Sequence, residues 1–238
     1  MLRHPINIAG QSLLLRIIVK EGFMPPFPLK AQTRILPSDD PRALSQVAEE
    51  IKSGKLAAFP TDTVYGVGTL ASNAEAVSRL YQVKGRKFNK PIPILVKGPE
   101  QLYLVAREVN SLAQQLIEKF WPGALTLILP RHPDLPDIIC AGGDTVAVRM
   151  PAHVLALALI REVGAPIATT SANQSGRSSP LDAQQVMFNL GGRIDFVLDG
   201  GPCPGGVDST VVDTTNNILT VLRETAIPAR VIREALKQ

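Results

Sequence analysis

Leu56-Ala57-Ala58-Phe59-Pro60-Thr61-Asp62-Thr63-Val64-Tyr65-Gly66-Val67-Gly68 is the stretch on which the fold turns. Its apolar start, bounded by Gly54 and Pro60, reads as a short buried strand over 56–59, and the hydroxyl-rich Pro60-Thr61-Asp62-Thr63 reads as a turn at that strand's end. Upstream, Leu44, Val47, Ala48 and Ile51 recur at helical spacing, with Asp39 or Asp40 as cap, Pro41 in the first turn and Gly54 as the stop. A helix followed at once by a buried strand belongs to an α/β chain.

The alternation continues downstream. Strands are expected over 92–96, 124–129, 146–149, 167–169, 196–198, 209–212 and 219–222, and helices over 74–81, 111–120, 153–162, 182–190 and 229–236. Several strands are joined by turns rather than helices, so the expected architecture is a mixed parallel and antiparallel sheet with helices packed on it. The Gly- and Pro-rich stretch 200–206 is short and lies between strands, which suits a functional loop better than a linker. One unit is therefore expected over 31–238, with 1–30 an extension outside it.

Composition removes several classes of function. With 238 residues, 45% of them hydrophobic, the chain can form a core without disulfide or metal staples. Cys140 and Cys203 stand far apart, no C-x-x-C occurs, and the histidines are only His4, His132 and His153, which argues against zinc and fits a reducing cytoplasmic location. No apolar run reaches a membrane span, since the longest, 13–19, contains Arg16. Most of the net charge of +4 lies in residues 1–30, where Arg3, Arg16, Lys20 and Lys30 face one acid, Glu21. The local exception is Lys84, Arg86, Lys87 and Lys90, with no acid between Glu75 and Glu100, which reads as an anion site or a solvated loop.

Common nucleotide signatures are missing. Gly66-Val67-Gly68-Thr69-Leu70-Ala71 spells G-x-G-x-x-A, but six residues separate it from the strand end and the downstream window is basic, so its glycines read as places of close backbone approach. What remains is a series of polar groups at strand ends: Thr61-Asp62-Thr63, Arg149, Ser171-Ala172-Asn173, Asp208-Ser209-Thr210 and Arg223. Each alone reads as a cap or turn former. Together they mark the end of a sheet where ligands bind. Arg149 closes the apolar Val146-Ala147-Val148 and needs a partner, either a ligand carboxylate or an internal acid.

Taken in order, Phe59 to Gly68, Lys84-Gly85-Arg86, Trp121-Pro122-Gly123, Val146 to Pro151, Ser171-Ala172-Asn173 and Gly206-Val207-Asp208-Ser209-Thr210 closely resemble the YrdC/Sua5 family, the L-threonylcarbamoyladenylate synthases of tRNA modification. The likeness spans about 36–236. It implies a YrdC-like α/β twist with a positively charged cavity, and condensation of L-threonine, bicarbonate or CO2, and ATP to threonylcarbamoyl-AMP and pyrophosphate, for the N6-threonylcarbamoyl modification of A37 in ANN-decoding tRNA. It also implies Mg2+ on the ATP phosphates with no dedicated protein metal site, and handover to a threonylcarbamoyl transferase.

By motif position, Thr63, Arg149, Thr169 and Ser209 would contact threonine, with Thr170 beside them. Lys84, Arg86, Lys90, Thr145, Ser171, Asn173, Ser179 and Arg223 would hold ATP, and Lys84 and Arg86 would stabilise the reacting phosphates. The sequence departs from the family at Lys90, where some members have Asn, at Leu95, where some have a threonine-contacting His, and at Glu224-Thr225 in place of a small pair. The chain reads as the short form, with the catalytic domain alone.

The alternative is a non-enzymatic protein that uses the Lys84 to Lys90 cluster to bind tRNA or double-stranded RNA. Aromatic residues are only 5% of the chain and none but Phe88 lies within that cluster, so the sequence offers no run of stacking platforms.

Overall fold

The computed structural model describes residues 32–237. The extension expected over 1–30 lies outside the described residues.

Within that range the chain runs β1 (Arg34–Pro37), α1 (Ala43–Lys52), β2 (Ala57–Phe59), β3 (Gly66–Leu70), α2 (Ala74–Lys84), β4 (Ile94–Leu95), a 3-10 turn (Pro99–Leu104), α3 (Ser111–Phe120), β5 (Leu125–Pro130) and β6 (Thr145–Arg149). It continues through α4 (Val154–Val163), β7 (Ile167–Ser171), α5 (Ala183–Leu190), β8 (Phe196–Asp199), β9 (Thr210–Asp213), β10 (Thr220–Arg223) and α6 (Ala229–Ala235). The strands join one sheet in the order β1-β8-β2-β3-β7-β4-β6-β5-β9-β10. β1 and β2 flank β8 in parallel, β4 is parallel to β6 and β5 to β9, and the other neighbours are antiparallel, so the sheet is mixed as expected.

Alternation within the strands builds a core on each face. Ala57, Phe59, Leu95, Ile167, Phe196 and Leu198 pack with α1 and α4. Leu56, Ala58, Val67, Ile94 and Val197 point the other way, into a larger cluster with α2, α3, α5 and α6. Covering both faces explains why β2 is apolar throughout rather than alternating with polar residues.

Among the strands, β1, β3 and β4 depart most from the sequence reading. β1 was not anticipated, because four residues with a mostly exposed pattern, ending in Pro37, carry little hydrophobic period. β3 hides behind its glycines, although it is a central strand pairing with β2 on one side and β7 on the other. β4 is confined to Ile94–Leu95 because Pro91 and Pro93 cannot donate to a ladder, which shortens the strand expected over 92–96.

α2 is one turn longer than its period suggested. Asn73 caps its start, accepting from the Ala76 amide, and Gly85 at φ 59 closes it in the left-handed conformation. That places Lys84 in the last helical turn and Arg86 just past the cap.

The G-x-G of β3 is a packing device. Gly68 pairs with Thr169 across the ladder, and a Cβ on Gly68 would lie 2.7 Å from Thr169 Oγ1 and 2.8 Å from the Ala168 carbonyl oxygen. A Cβ on Gly66 would meet Thr169 Cγ2 at 2.7 Å. Both glycines therefore seat the Thr169 side chain. Gly68→Ala is expected to cost about 1–3 kcal/mol in urea unfolding, as overpacking against backbone does; unchanged stability would mean that the two strands can part.

Candidate active site

β4 and β6 run parallel and end together, so Leu95 and Arg149 pair at one edge of a hollow of about 200 Å3. β3 and β7 add Gly66, Thr169 and Ser171; β5 adds Thr126; the starts of β9 and β10's far end add Ser209 and Arg223. The Thr61 to Val64 turn closes the side nearest β2.

At its floor Arg149 is 6% exposed. Its Nε donates to the Gly123 carbonyl at 2.8 Å, Nη1 donates to Thr63 Oγ1 at 2.9 Å, and Nη2 pairs with the Asp62 carboxylate. Burial pushes the guanidinium's pKa down and Asp62 opposes that shift. The internal acid, one of the two partners open to Arg149 in the sequence, is thus present. Of the five N–H bonds of a guanidinium, these contacts use three and leave two.

The hydroxyls are ordered by their own bonds. Thr61 Oγ1 donates to the Val64 carbonyl at 2.7 Å, so in its 2.9 Å contact with Thr63 Oγ1 it accepts, and Thr63 accepts from Arg149 in turn. The 200–206 loop presses on this turn: Gly206 N donates to the Thr63 carbonyl at 2.9 Å, and a Cβ on Gly205 would sit 2.4 Å from the Asp62 backbone oxygen. Opposite, Ser209 Oγ lies 2.7 Å from Thr126 Oγ1, while Arg223 Nη2 donates to the Ser209 carbonyl at 2.7 Å and Nη1 pairs with Asp208 at 3.5 Å.

A second hollow of about 310 Å3 adjoins the first, sharing Arg86 and Ser171 and adding Lys84, Lys87, Lys90 and Asn173. Lys84 is not a free cation. It is 3% exposed, and its Nζ donates to the Ser171 carbonyl and, at 2.6 Å, to the Asn173 carbonyl. Its backbone carbonyl accepts from Ser175 N at 2.9 Å, so Lys84 clamps the end of α2 to the segment after β7. Burial, with repulsion from Arg86, lowers its pKa to about 7 against a weaker pull upward from Asp208. Arg86 is half-buried, its Nη2 donating to the Pro91 carbonyl at 2.7 Å.

Most residues expected at the site converge. Thr63, Arg86, Arg149, Thr169, Thr170, Ser171, Ser209 and Arg223 line the first hollow, and Lys84, Lys90 and Asn173 line the second. Ser179 stands beside them, its Oγ 3.4 Å from Asp208 Oδ1. Thr145 lines neither hollow: it is exposed at the opposite end of β6 from Arg149. Two residues were missed in roles of their own, Asp62 as the partner of Arg149 and Thr126 as the partner of Ser209. Thr126 carries a legible signal, the polar interruption of the apolar Leu125-Thr126-Leu127-Ile128. Among the described residues no group of three or more His, Cys, Asp and Glu could hold a metal ion.

A family model covering Sua5, YciO and YrdC proteins, described as "Telomere recombination", matches residues 49–225. The chain belongs to this family. A Bacillus subtilis protein named threonylcarbamoyl-AMP synthase is 46% identical over 189 residues, covering 79% of this chain and 54% of that protein. A Mycobacterium tuberculosis protein named putative threonylcarbamoyl-AMP synthase is 38% identical over 200 residues, 84% of this chain and 92% of its own length. Pyrococcus abyssi Sua5 complexed with L-threonine superposes with a TM-score of 0.83 at 42% identity, over 86% of this chain and 61% of that one. This chain thus spans about half the length of the Bacillus relative.

Asp62 and Arg149 have side chains 14% and 7% exposed, so removing either strands a buried charge. Asp62→Ala is expected to lower stability by about 3–5 kcal/mol in urea unfolding. The double variant Asp62→Ala with Arg149→Met should recover part of that loss. Additive losses would mean that the two charges do not depend on each other.

Proposed function

We propose that the chain makes threonylcarbamoyl-AMP from L-threonine, bicarbonate or CO2, and ATP, releasing pyrophosphate. The observation that carries this reading is the gathering of Arg86, Arg149 and Arg223 with five threonines and two serines around one hollow, from segments far apart in the chain. Anionic ends at both sides of a small polar ligand suit such a lining. The names of the family's relatives supply the reaction.

In this reading the threonine carboxylate takes the two open N–H bonds of Arg149, with Thr63, Thr169 and Ser209 around it. The apolar edge of Leu95 and Val64 faces the amino acid's methyl group. The triphosphate lies toward the second hollow, along Arg86, Ser171, Asn173 and Lys90, with Ser179 and Arg223 flanking the nucleotide. Lys84 acts mainly by holding the Ser171 to Asn173 backbone in place, and adds its charge as phosphate approaches.

The chemistry needs no protein nucleophile. Threonine's amine, once deprotonated, adds to CO2 to give an N-carboxylate and a proton. A carboxylate oxygen then bonds to the α-phosphorus as the bond to the bridging oxygen breaks and pyrophosphate leaves. The residues supply alignment and charge stabilisation. Mg2+ suits this lining as a phosphate-bound ion that keeps most of its waters, since Asp208 is the one carboxylate on the first hollow, and when bound it would neutralise phosphate charge. Product would pass to a threonylcarbamoyl transferase acting on A37 of ANN-decoding tRNA.

Pyrophosphate release with each amino acid in turn, with and without bicarbonate, tests the assignment. Arg86→Ala should lose about 100-fold or more in turnover while keeping its circular dichroism, and Arg149→Lys should raise the threonine requirement about tenfold with little effect on that for ATP. Turnover near the parent's in Arg86→Ala contradicts the proposal.

Proton linkage gives a separate check. Lys84 with its pKa lowered to about 7 is largely neutral at pH 8 in the folded protein, whereas the unfolded chain keeps that proton up to the ordinary lysine value of about 10.5. This group's contribution to stability therefore rises with pH between those values. A bound polyphosphate favours the charged form, so ATP should bind with uptake of a proton at pH 8 and weaken between pH 7.5 and 9, by up to about tenfold per unit. Calorimetry in buffers of different ionisation enthalpy reads the proton directly; none taken up would mean Lys84 keeps its charge throughout.

A further inference from the structure

Tyr65 stands between Val64 and Gly66, which both line the first hollow, yet it lines neither hollow of the site and is fully buried in the larger core cluster. A phenylalanine ring would fill the same space, so the hydroxyl needs partners that justify its burial. It donates to the Gly201 carbonyl at 2.8 Å and accepts from the Gly200 amide at 3.2 Å. Asp199 Oδ1, 3.3 Å from the same hydroxyl, accepts from the Gly201 amide at 3.0 Å. Among the described residues, every partner of this hydroxyl therefore lies in 199–201, where β8 passes into the 200–206 loop. Burial raises the phenol's pKa above its ordinary value, so the group stays a donor at any pH near neutrality.

From that anchor the loop crosses the turn that holds Arg149. Gly200 lies against Pro60, where a Cβ would meet Pro60 Cγ at 2.8 Å. Midway, Cys203 N donates to the Leu181 carbonyl at 2.7 Å. At the far end Gly205 rests on Asp62 and Thr63, and a Cβ there would stand 2.9 Å from Thr63 Cα. Loop and turn thus touch backbone to backbone with no side chain between to absorb a shift. Asp62 and Thr63 are in turn the side chains that hold the two ends of the Arg149 guanidinium.

We infer that Tyr65 is a positioning residue: its hydroxyl fixes the base of the 200–206 loop, and the loop fixes the turn that orients Arg149 toward the amino acid's carboxylate. The inference rests on the proposed function only in taking threonine as the ligand of Arg149. Its consequence is selective, because none of these contacts involves Arg86, Lys90 or Asn173, which the same reading gives to the triphosphate. Tyr65 also bonds through its backbone, its N to the Pro180 carbonyl at 2.9 Å and its carbonyl to Ala172 N at 2.8 Å, and both bonds survive in Tyr65→Phe.

Calorimetric titration of the full chain with L-threonine, beside pyrophosphate release at varied threonine and varied ATP, tests the inference. Tyr65→Phe should weaken threonine binding and raise the threonine requirement about tenfold, the scale of one lost hydrogen bond, while the ATP requirement and the turnover at saturating threonine stay near the parent's. Gly205→Ala, which lifts the other end of the loop, should show the same selective loss and supplies the readout should Tyr65→Phe not fold. The double variant should lose less than the product of the two, since one loop transmits both changes. Unchanged threonine binding in both variants overturns the inference, as do requirements for threonine and ATP that rise together, or losses that simply multiply. A parent that binds threonine but releases no pyrophosphate contradicts the proposed reaction instead, and the titrations still decide the role of Tyr65. A parent that binds no threonine overturns both.

Discussion

A guanidinium sealed at the end of a central strand sets the terms for everything around it. Arg149 cannot keep its charge in that position without acceptors, and each acceptor fixes a piece of chain: Asp62 and Thr63 the turn after β2, Gly123 the entry to β5. The 200–206 loop is pressed onto the same turn. Satisfying one buried charge therefore assembles three walls of the hollow. The proposed function uses the two N–H bonds left over, which these internal contacts do not occupy.

The other half of the site depends on backbone more than on charge. Gly66 and Gly68 let β3 and β7 close around Thr169, and Gly85 ends α2 so that Lys84 turns inward while Arg86 remains at the rim. Two cations two residues apart thereby do different work. Lys84 holds the carbonyls of Ser171 and Asn173, and Arg86 is the one of the pair that faces both hollows. Reading both as equivalent phosphate ligands misses the clamp, which only the folded contacts reveal.

Legibility in the sequence followed the strength of the local pattern. α1, α3 and α5 announce themselves by apolar spacing, and the strand-end hydroxyls by their repeated position after apolar runs. β1 and β3 do not, since an exposed four-residue edge and a Gly-Val-Gly-Thr-Leu strand carry no period that a hydrophobic count could find, and both are held by neighbours distant in the chain. Asp62 stood in a quoted motif without a role because its partner is 87 residues away. Thr145 was carried to the nucleotide by motif position, yet it occupies the end of β6 remote from Arg149 and lines neither hollow.

In the proposed reaction two adjoining hollows, joined at Arg86 and Ser171, hold an amino acid and a triphosphate end to end. A crystal structure of this chain grown with L-threonine and a non-hydrolysable ATP analogue tests that most directly. The expected density places the threonine carboxylate on Arg149 and the terminal phosphates on Arg86, with the amine turned toward the α-phosphate. Density for the two ligands on separate faces, or a threonine carboxylate away from Arg149, would contradict it.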